Sequence, residues 1–193
     1  FTTAEGCSAT QSLKVNPAAS ITGTLSVCSG LKTTLTGSGT PDAVNPWTSS
    51  DNGIATVSST GEVSGVTGGQ VTITYTNSSG CQATAIVTVN ETPVLDALSP
   101  LCEGTTATMT FTGTPAVSNP FISSNTAVAT VDATGKVTAV AAGTTSITFT
   151  AANGCTASQS LTVNPAASIS GTLTVCVGSS SILTGSGTPA VND

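Results

Sequence analysis

The sequence contains no histidine and no arginine, and its only basic side chains are Lys14, Lys32 and Lys136, against nine acids. Without histidine, the Ser/His/Asp and Cys/His groupings of nucleophilic catalysis are excluded. Nucleic-acid binding needs a cationic surface that displaces counterions from phosphates, and a net charge of −6 provides none. We therefore expect no enzyme activity, no cofactor and no nucleic-acid partner.

Long hydrophobic runs are also missing. No run approaches the roughly 20 apolar residues of a transmembrane helix, so we expect no membrane insertion in this segment. Residues that favour helices are scarce, since all charged residues together make up 6% of the chain. Threonine, valine and isoleucine, which favour strands, are common, and glycine and proline, which favour turns, occur between them. The composition predicts an all-β protein.

An internal repeat with a period of about 74 residues organises the chain. It is set by two equally spaced series of cysteines: Cys7, Cys81, Cys155 and Cys28, Cys102, Cys176. The text between them keeps the same interval without gaps, because 54–57 recurs at 128–131 and 71–75 at 145–149. Such a period indicates a tandem array of similar modules.

The repeat predicts two whole modules, residues 17–90 (the first module) and 91–164 (the second module). Residues 1–16 match the C-terminal strands of a preceding repeat, and residues 165–193 match the N-terminal strands of a following one. The joints between repeats are short and contain proline, with no Gly/Ser spacer. Short proline-bearing joints favour a stiff, elongated rod over a flexible string.

Each module is predicted to hold seven short strands separated by turns. In the first module they are Ser20–Val27, Thr33–Ser38, Pro46–Ser50, Ile54–Ser58, Glu62–Val66, Gln70–Asn77 and Gln82–Asn90. Short strands with a turn every 8–12 residues or so predict a β-sandwich. The expected core residues recur in both modules: Trp47, Val57, Ile73 and Tyr75, then Phe121, Val131, Ile147 and Phe149.

Four stretches of the first module carry a family resemblance: Trp47-Thr-Ser-Ser-Asp51, Ile54-Ala-Thr-Val57, Gly61-Glu-Val63 and Gly69-Gln-Val-Thr-Ile-Thr-Tyr75. In these stretches the chain resembles the group 2 bacterial immunoglobulin-like domains. The resemblance implies tandem Ig-like β-sandwiches that serve as stalks or spacers outside the cell, on a bacterial surface. It also implies that the partners are neighbouring repeats of the same chain and external surfaces or polysaccharide.

The cysteine-bearing stretches Val27-Cys28-Ser-Gly30 and Gly80-Cys81 resemble a variant of these domains in giant surface proteins of Bacteroidota. Some of those proteins are gliding-motility adhesins exported by the type IX route. The resemblance therefore implies cell adhesion, with gliding motility as a more specific role.

The six cysteines predict disulfides and an oxidising compartment. Metal binding is not expected, because the chain has no histidine and no Cys-x-x-Cys spacing. Redox catalysis is not expected either, since no cation is placed to lower the pKa of a thiol.

Counting strand reversals places Cys28 and Cys81 at opposite ends of one sandwich, about 17–25 Å apart at ~3.3 Å per residue. Disulfide Cα atoms lie within about 7 Å, so this count favours a bond between modules, Cys28–Cys155. If one short strand does not cross the sheet, the count instead allows bonds within modules, Cys28–Cys81 and Cys102–Cys155. Cys7 and Cys176 would pair with repeats or partners beyond the ends of this sequence. The residues alone leave both patterns open.

The sequence offers few other candidate sites. Asp51-Asn52-Gly53 could form one edge of a calcium loop, but it lacks alternating oxygen ligands and is interpreted as a turn. Trp47 could stack on a sugar, but its place on a central strand favours the core. We therefore expect a structural stalk or filament segment, with two alternatives: a glycan- or ligand-binding module, and a spacer array of a secreted multidomain enzyme.

Overall fold

The computed structural model describes residues 1–186, and this part of the chain contains strands, turns and irregular segments without any helix. The all-β prediction is confirmed. It follows that no described segment is a helix long and apolar enough to cross a membrane. The chain divides into two compact units, Phe1–Glu91 and Thr92–Asp193.

The first unit is a sandwich of two four-stranded sheets. One sheet has the order β1-β3-β6-β5, formed by Ile21–Gly23, Lys32–Gly37, Glu62–Gly65 and Ala55–Val57. The other has the order β2-β8-β7-β4, formed by Ser26–Cys28, Gln82–Asn90, Gly69–Thr76 and Trp47–Ser49. All strand pairs are antiparallel except β2 with β8, which run parallel.

Strand β7 shows how the sequence builds this core. Val71, Ile73 and Tyr75 alternate with threonines, so one face of the strand is buried and the other faces out. Tyr75 pairs across the sheet with Trp47, and their ring centroids lie 4.7 Å apart. Val57 is half-buried and packs against this cluster.

The second unit repeats the pattern. Its strands β9 to β17 are Leu101–Cys102, Thr106–Thr108, Phe121–Ser123, Ala129–Val131, Lys136–Ala139, Gly143–Thr150, Thr156–Asn164, Ile169–Gly171 and Leu183–Gly185. They form sheets ordered β10-β13-β12, β11-β14-β15-β9 and β16-β17. Strands β11 to β15 follow β4 to β8 at the interval of the sequence repeat, with the same bounds. The sequence period is therefore a structural period.

The core of the second unit is built from phenylalanine. Phe121, Phe149 and Ile147 are buried, and Val131 is half-buried against them. Phe111 adds a third ring, with its centroid 4.7 Å from that of Phe149. Phe111 was not among the core residues predicted from the sequence.

The predicted first strand, Ser20–Val27, is in fact two strands that belong to different sheets. β1 pairs with β3, and after Gly23 the chain crosses so that β2 pairs with β8. Gly23 has φ +128°, and a Cβ there would lie 2.6 Å from the Thr34 carbonyl oxygen. Only glycine takes this backbone shape without a clash, so the crossing occurs at this residue.

Candidate functional site at the cysteine-bearing ends of the modules

Cys28 lies at the end of β2, beside the last residue of β8. In the parallel pairing of these strands, Cys28 is opposite Asn90. The Ser29 amide donates to the Asn90 carbonyl oxygen at 2.8 Å, and the Asn90 side-chain amide donates to the Ser26 hydroxyl at 2.9 Å. These bonds hold Cys28 at the end where the chain leaves the first module, which we call the downstream end.

Cys81 lies at the opposite end, in the turn that precedes β8. Its amide donates to Asn77 Oδ1 at 3.0 Å, and the Ser79 amide donates to the same oxygen at 3.0 Å. Asn77 is buried, so its side chain fixes the turn from inside. Pro17 and Ala18, where the first module begins, line a shallow cleft together with this turn. We call this the upstream end.

The second module places its cysteines in the same way. Cys102 is opposite Asn164 in the parallel pairing of β9 with β15. Cys155 precedes β15, and its amide donates to Asn153 Oδ1 at 3.0 Å. Cys102 therefore marks a downstream end and Cys155 an upstream end.

The full length of one strand separates the two cysteines of a module. Cys28 is opposite Asn90, and Asn90 is the last residue of the extended strand that begins directly after Cys81. A strand of that length spans ~30 Å at about 3.3 Å per residue, whereas a disulfide needs Cα atoms within about 7 Å. The register therefore does not allow a bond within a module.

The oxidation states agree with this geometry. Cys28 and Cys155 are disulfide-bonded. The other thiols are free: Cys7, Cys81, Cys102 and Cys176. The alternative pattern, with Cys28–Cys81 and Cys102–Cys155 inside the modules, is therefore not formed. That pattern would require one short strand not to cross the sheet. β2 and β8 run parallel, however, as is expected when every strand between them reverses the direction of the chain.

An exposed ion pair lies on the sheet that contains β3 and β6. Lys32 Nζ and Glu62 Oε1 are 2.6 Å apart, and both side chains are exposed. Asp51 Oδ1 accepts a hydrogen bond from the Gly53 amide at 2.8 Å, which makes this segment a turn. Within residues 1–186, no three Cys, Asp or Glu side chains converge as a metal site would require.

One carboxylate has a shifted pKa. The Thr134 hydroxyl donates to Asp132 Oδ1 at 2.6 Å, and the Thr134 and Lys136 amides donate to the same oxygen at 2.8 and 3.0 Å. These hydrogen bonds, led by that of the Thr134 hydroxyl, lower the pKa of Asp132 below its ordinary value. They close the turn between β12 and β13, so Asp132 has a structural role.

Trp47 does not offer a stacking platform for a sugar. Only 8% of it is exposed, because its ring packs on Tyr75 inside the first unit. The ligand-binding alternative therefore loses its main aromatic candidate.

The sequence predicts Thr72, Thr74 and Thr76 as outward-facing strand threonines, but not the whole outer face of the sheet that contains β7 and β8, which carries no charged side chain. Its outward positions are Thr, Ser or Gln apart from Cys28, Ile86 and Asn90: Ser26, Thr48, Gln70, Thr72, Thr74, Thr76, Gln82, Thr84 and Thr88. The second unit repeats this, and its β14 and β15 present Thr or Ser at every outward position before Asn164. The alternation along each long strand could have revealed it.

The family of these modules follows from a comparison with family models. The model of the bacterial Ig-like domain (group 2) matches residues 9–89 and 101–163. The chain belongs to this family. The predicted tandem Ig-like β-sandwiches are thereby confirmed, and these Ig-like domains are a non-catalytic kind of fold.

Three solved structures are similar to the chain at low identity. The S-layer protein rSbsC(31-844) is 20% identical over 74% of this chain and 25% of that one, with a TM-score of 0.29. A 282-residue fragment of intimin, in complex with the translocated intimin receptor, is 19% identical over 79% and 53%, with a TM-score of 0.41. Invasin, a bacterial integrin-binding protein, is 17% identical over 79% and 40%, with a TM-score of 0.47.

The Ig-like chain thus spans between a quarter and about half of the length of these structures. A comparison with curated proteins finds no match.

Proposed function

We propose that the chain is a segment of a structural stalk on a bacterial cell surface, built from successive Ig-like modules that are joined by disulfides. The proposal rests on one observation. The cysteines at the downstream end of the first module and the upstream end of the second are oxidised, while their equivalents at the outer ends are free. Disulfides persist in oxidising compartments, which supports a location of the stalk outside the cytoplasm.

The partner that we propose for Cys28 is Cys155. Within the second unit, a Cβ at Gly113 would lie 3.8 Å from Pro93 Cβ and 3.7 Å from Ala151 Cβ. The Ala151 amide donates to the Cys155 carbonyl oxygen at 2.9 Å. Pro93, near the start of the second module, is therefore close to the turn that carries Cys155.

The chain between the modules is short enough to bring the two cysteines together. Cys28 is beside Asn90, and Pro93 follows Asn90 by three residues, which span at most about 11 Å. Both cysteines therefore lie near the same joint. A bond there closes a loop that runs from Cys28 to Cys155 and joins consecutive modules covalently.

The stalk either projects an adhesive region or contacts external surfaces with the outer faces of its own modules. The charge-free outer face supports contact with neutral surfaces such as polysaccharide, because a hydroxyl-rich sheet brings no charge that must be desolvated. The resemblance of the cysteine-bearing stretches leads us to propose, more specifically, a giant adhesin of the Bacteroidota type that is exported by the type IX route and acts in gliding.

Peptide mapping of the oxidised full chain tests the pairing. Free thiols are alkylated, and the chain is cut with trypsin and a glutamate-specific protease. Cleavage after Lys32, Glu62, Glu91, Glu103 and Lys136 puts Cys28, Cys81 and Cys102 on separate peptides, each apart from Cys155. We expect the Cys28 peptide linked to the peptide that starts at 137, with four alkylated cysteines.

Cys155 and Cys176 share that last peptide, so Cys176→Ser is the matched control and should leave the link intact. A link between the peptides of Cys28 and Cys81 would contradict the proposal. The cellular location has its own test: antibodies to the chain should label intact cells of the source organism. Labelling only after permeabilisation would overturn the surface assignment.

A further inference from the structure

The cysteines mark the ends of segments without turns. The segments 7–28, 81–102 and 155–176 are equal in length and contain no turn, bend or helix. A turn precedes each segment directly, and another follows it directly: 4–6 and 29–30, 78–80 and 103–104, 152–154 and 177–178. Each segment therefore runs without a turn from one cysteine to the next.

The segment 81–102 is composed mainly of strand residues. In 81–102, strand β8 covers Gln82–Asn90, and Leu101–Cys102 form β9. Between them, Leu95 forms a β-bridge with Phe111. A stretch of about 21 residues spans at most about 70–75 Å when fully extended, so the chain between two such cysteines cannot reach further than this.

We propose that the disulfides and these segments together form two continuous covalent cables, which prevent the array from lengthening when its modules unfold. The proposal rests on the Cys28–Cys155 pairing of the proposed function. One cable runs from Cys7 to Cys28, crosses the disulfide to Cys155, and continues to Cys176. The other runs along the backbone from Cys81 to Cys102 and continues, through the same kind of bond, into the next modules.

Each joint is then crossed twice, once by the backbone of one cable and once by the disulfide of the other. The bonds beyond this chain form from two thiols, such as Cys102 and the equivalent of Cys155 one repeat later. Each bond releases two protons and passes two electrons to an oxidising disulfide of a thiol oxidoreductase.

The mechanical effect is large. The two modules, residues 17–164, would extend to about 500 Å if they unfolded without staples. A cable covers the same two modules with one cysteine-to-cysteine segment and one disulfide, about 80 Å in total. Tension therefore passes along the segments and the disulfides, and unfolding of a sandwich releases far less length than it would in a chain without disulfides.

The distance between Cys81 and Cys102 tests whether the segment is taut. Both thiols are free, so spin labels can be attached to the full chain after Cys7→Ser and Cys176→Ser. We expect a label separation of about 50 Å or more by pulsed electron paramagnetic resonance, which is at least about two-thirds of the 70–75 Å that a segment of this length can span. A shorter separation means slack in the segment and overturns the cable proposal, even where the peptide map shows the Cys28–Cys155 link.

Pulling on the single chain tests the staple mechanically. Handles are attached to Cys7 and Cys176 in the variant with Cys81→Ser and Cys102→Ser. The oxidised chain should extend to about 150 Å, the combined length of segments 7–28 and 155–176, and no further.

The control carries Cys28→Ser and Cys155→Ser in addition, and should reach about 600 Å because the whole chain between the handles unfolds. Extension of the oxidised chain well beyond the combined length of the two segments would overturn the proposal. If peptide mapping has already shown no Cys28–Cys155 link, the same result contradicts the proposed pairing and not the cable geometry.

Discussion

Gly37 lies directly against the aromatic ring of Tyr75, so closely that a Cβ at position 37 would overlap the ring. The Tyr75 hydroxyl extends beyond Gly37 to the Gly39 carbonyl oxygen. In the second module the same two positions hold Phe111 and Phe149, whose ring centroids are 4.7 Å apart. One module thus fills this space with a tyrosine over a glycine, and the other fills it with two phenylalanine rings.

Replacing Gly37 with alanine should destabilise the first module by about 1–3 kcal/mol, because the new methyl group forces the Tyr75 ring out of its place. Urea unfolding followed by tryptophan fluorescence measures this directly. Trp47 is the only tryptophan, so the signal reports the first module alone.

The matched control is Gly185→Ala, at the equivalent position two repeats later, where a Cβ meets nothing within 4 Å. It should leave the fluorescence midpoint unchanged. Equal midpoints for Gly37→Ala and the unmodified chain would show that the tyrosine ring is not held where the structure has it.

Thr145 is a buried hydroxyl in the second module, at the position of Val71 in the first. Its oxygen lies 3.0 Å from the Ser123 hydroxyl oxygen and accepts from the Asn125 amide at 3.0 Å. Thr145→Val removes these bonds and should cost about 1–3 kcal/mol of unfolding free energy. Calorimetry is the suitable measurement, because this module contains neither tryptophan nor tyrosine. Thr144→Val, on the exposed face, should change stability by less than about 0.5 kcal/mol.

Removal of the disulfide should lower stability in proportion to the long loop that it closes. For a loop from Cys28 to Cys155, Cys28→Ser should cost about 4–5 kcal/mol on the chain-entropy model. Calorimetry without reductant should show this loss, and dithiothreitol should produce the same shift in the unmodified chain. Cys102→Ser removes a free, exposed thiol and should leave the transition where it is. A large fall of the transition temperature in Cys102→Ser would contradict this, because Cys102 would then contribute to stability as Cys28 does.

The lowered pKa of Asp132 should make the stability of the second module depend on pH in the acid range. Because hydrogen bonds lower its folded pKa, it stabilises the folded state above its unfolded pKa of about 3.9, and this contribution is lost as pH falls through the folded value. The urea midpoint of the second module should therefore fall between pH 5 and pH 2 less steeply in Asp132→Asn than in the unmodified chain. Parallel profiles would contradict this, and the difference is small because the carboxylate is exposed.

The sequence predicts the long strands well, because their two-residue alternation is unambiguous. The predicted last strand of the first module, Gln82–Asn90, has the bounds of β8. The crossing at Gly23 was missed, because hydrophobicity does not show which of two sheets an extended residue joins. The contact of Gly37 with Tyr75 was also missed, since a glycine in a strand gives no sign of which neighbour fills its space.

The location of the cysteines was predictable only as far as the count of strand reversals allowed. That count placed Cys28 and Cys81 at opposite ends, and the parallel register of β2 with β8 shows why it works. Cys28 and Cys155 are oxidised in both pairings that the sequence left open, but the sequence did not decide between those pairings and so did not show that Cys81 and Cys102 are free.

The separation of Cys28 from Cys81 by the whole of β8 also constrains how the protein is made. These two cysteines follow one another in the chain and leave the ribosome in that order, yet they are not native partners. Oxidation of a nascent, unfolded chain would join neighbours in sequence and trap a misfolded module. Biosynthesis therefore requires that the strands of a module pair before its thiols react, or that a disulfide isomerase corrects the early bonds.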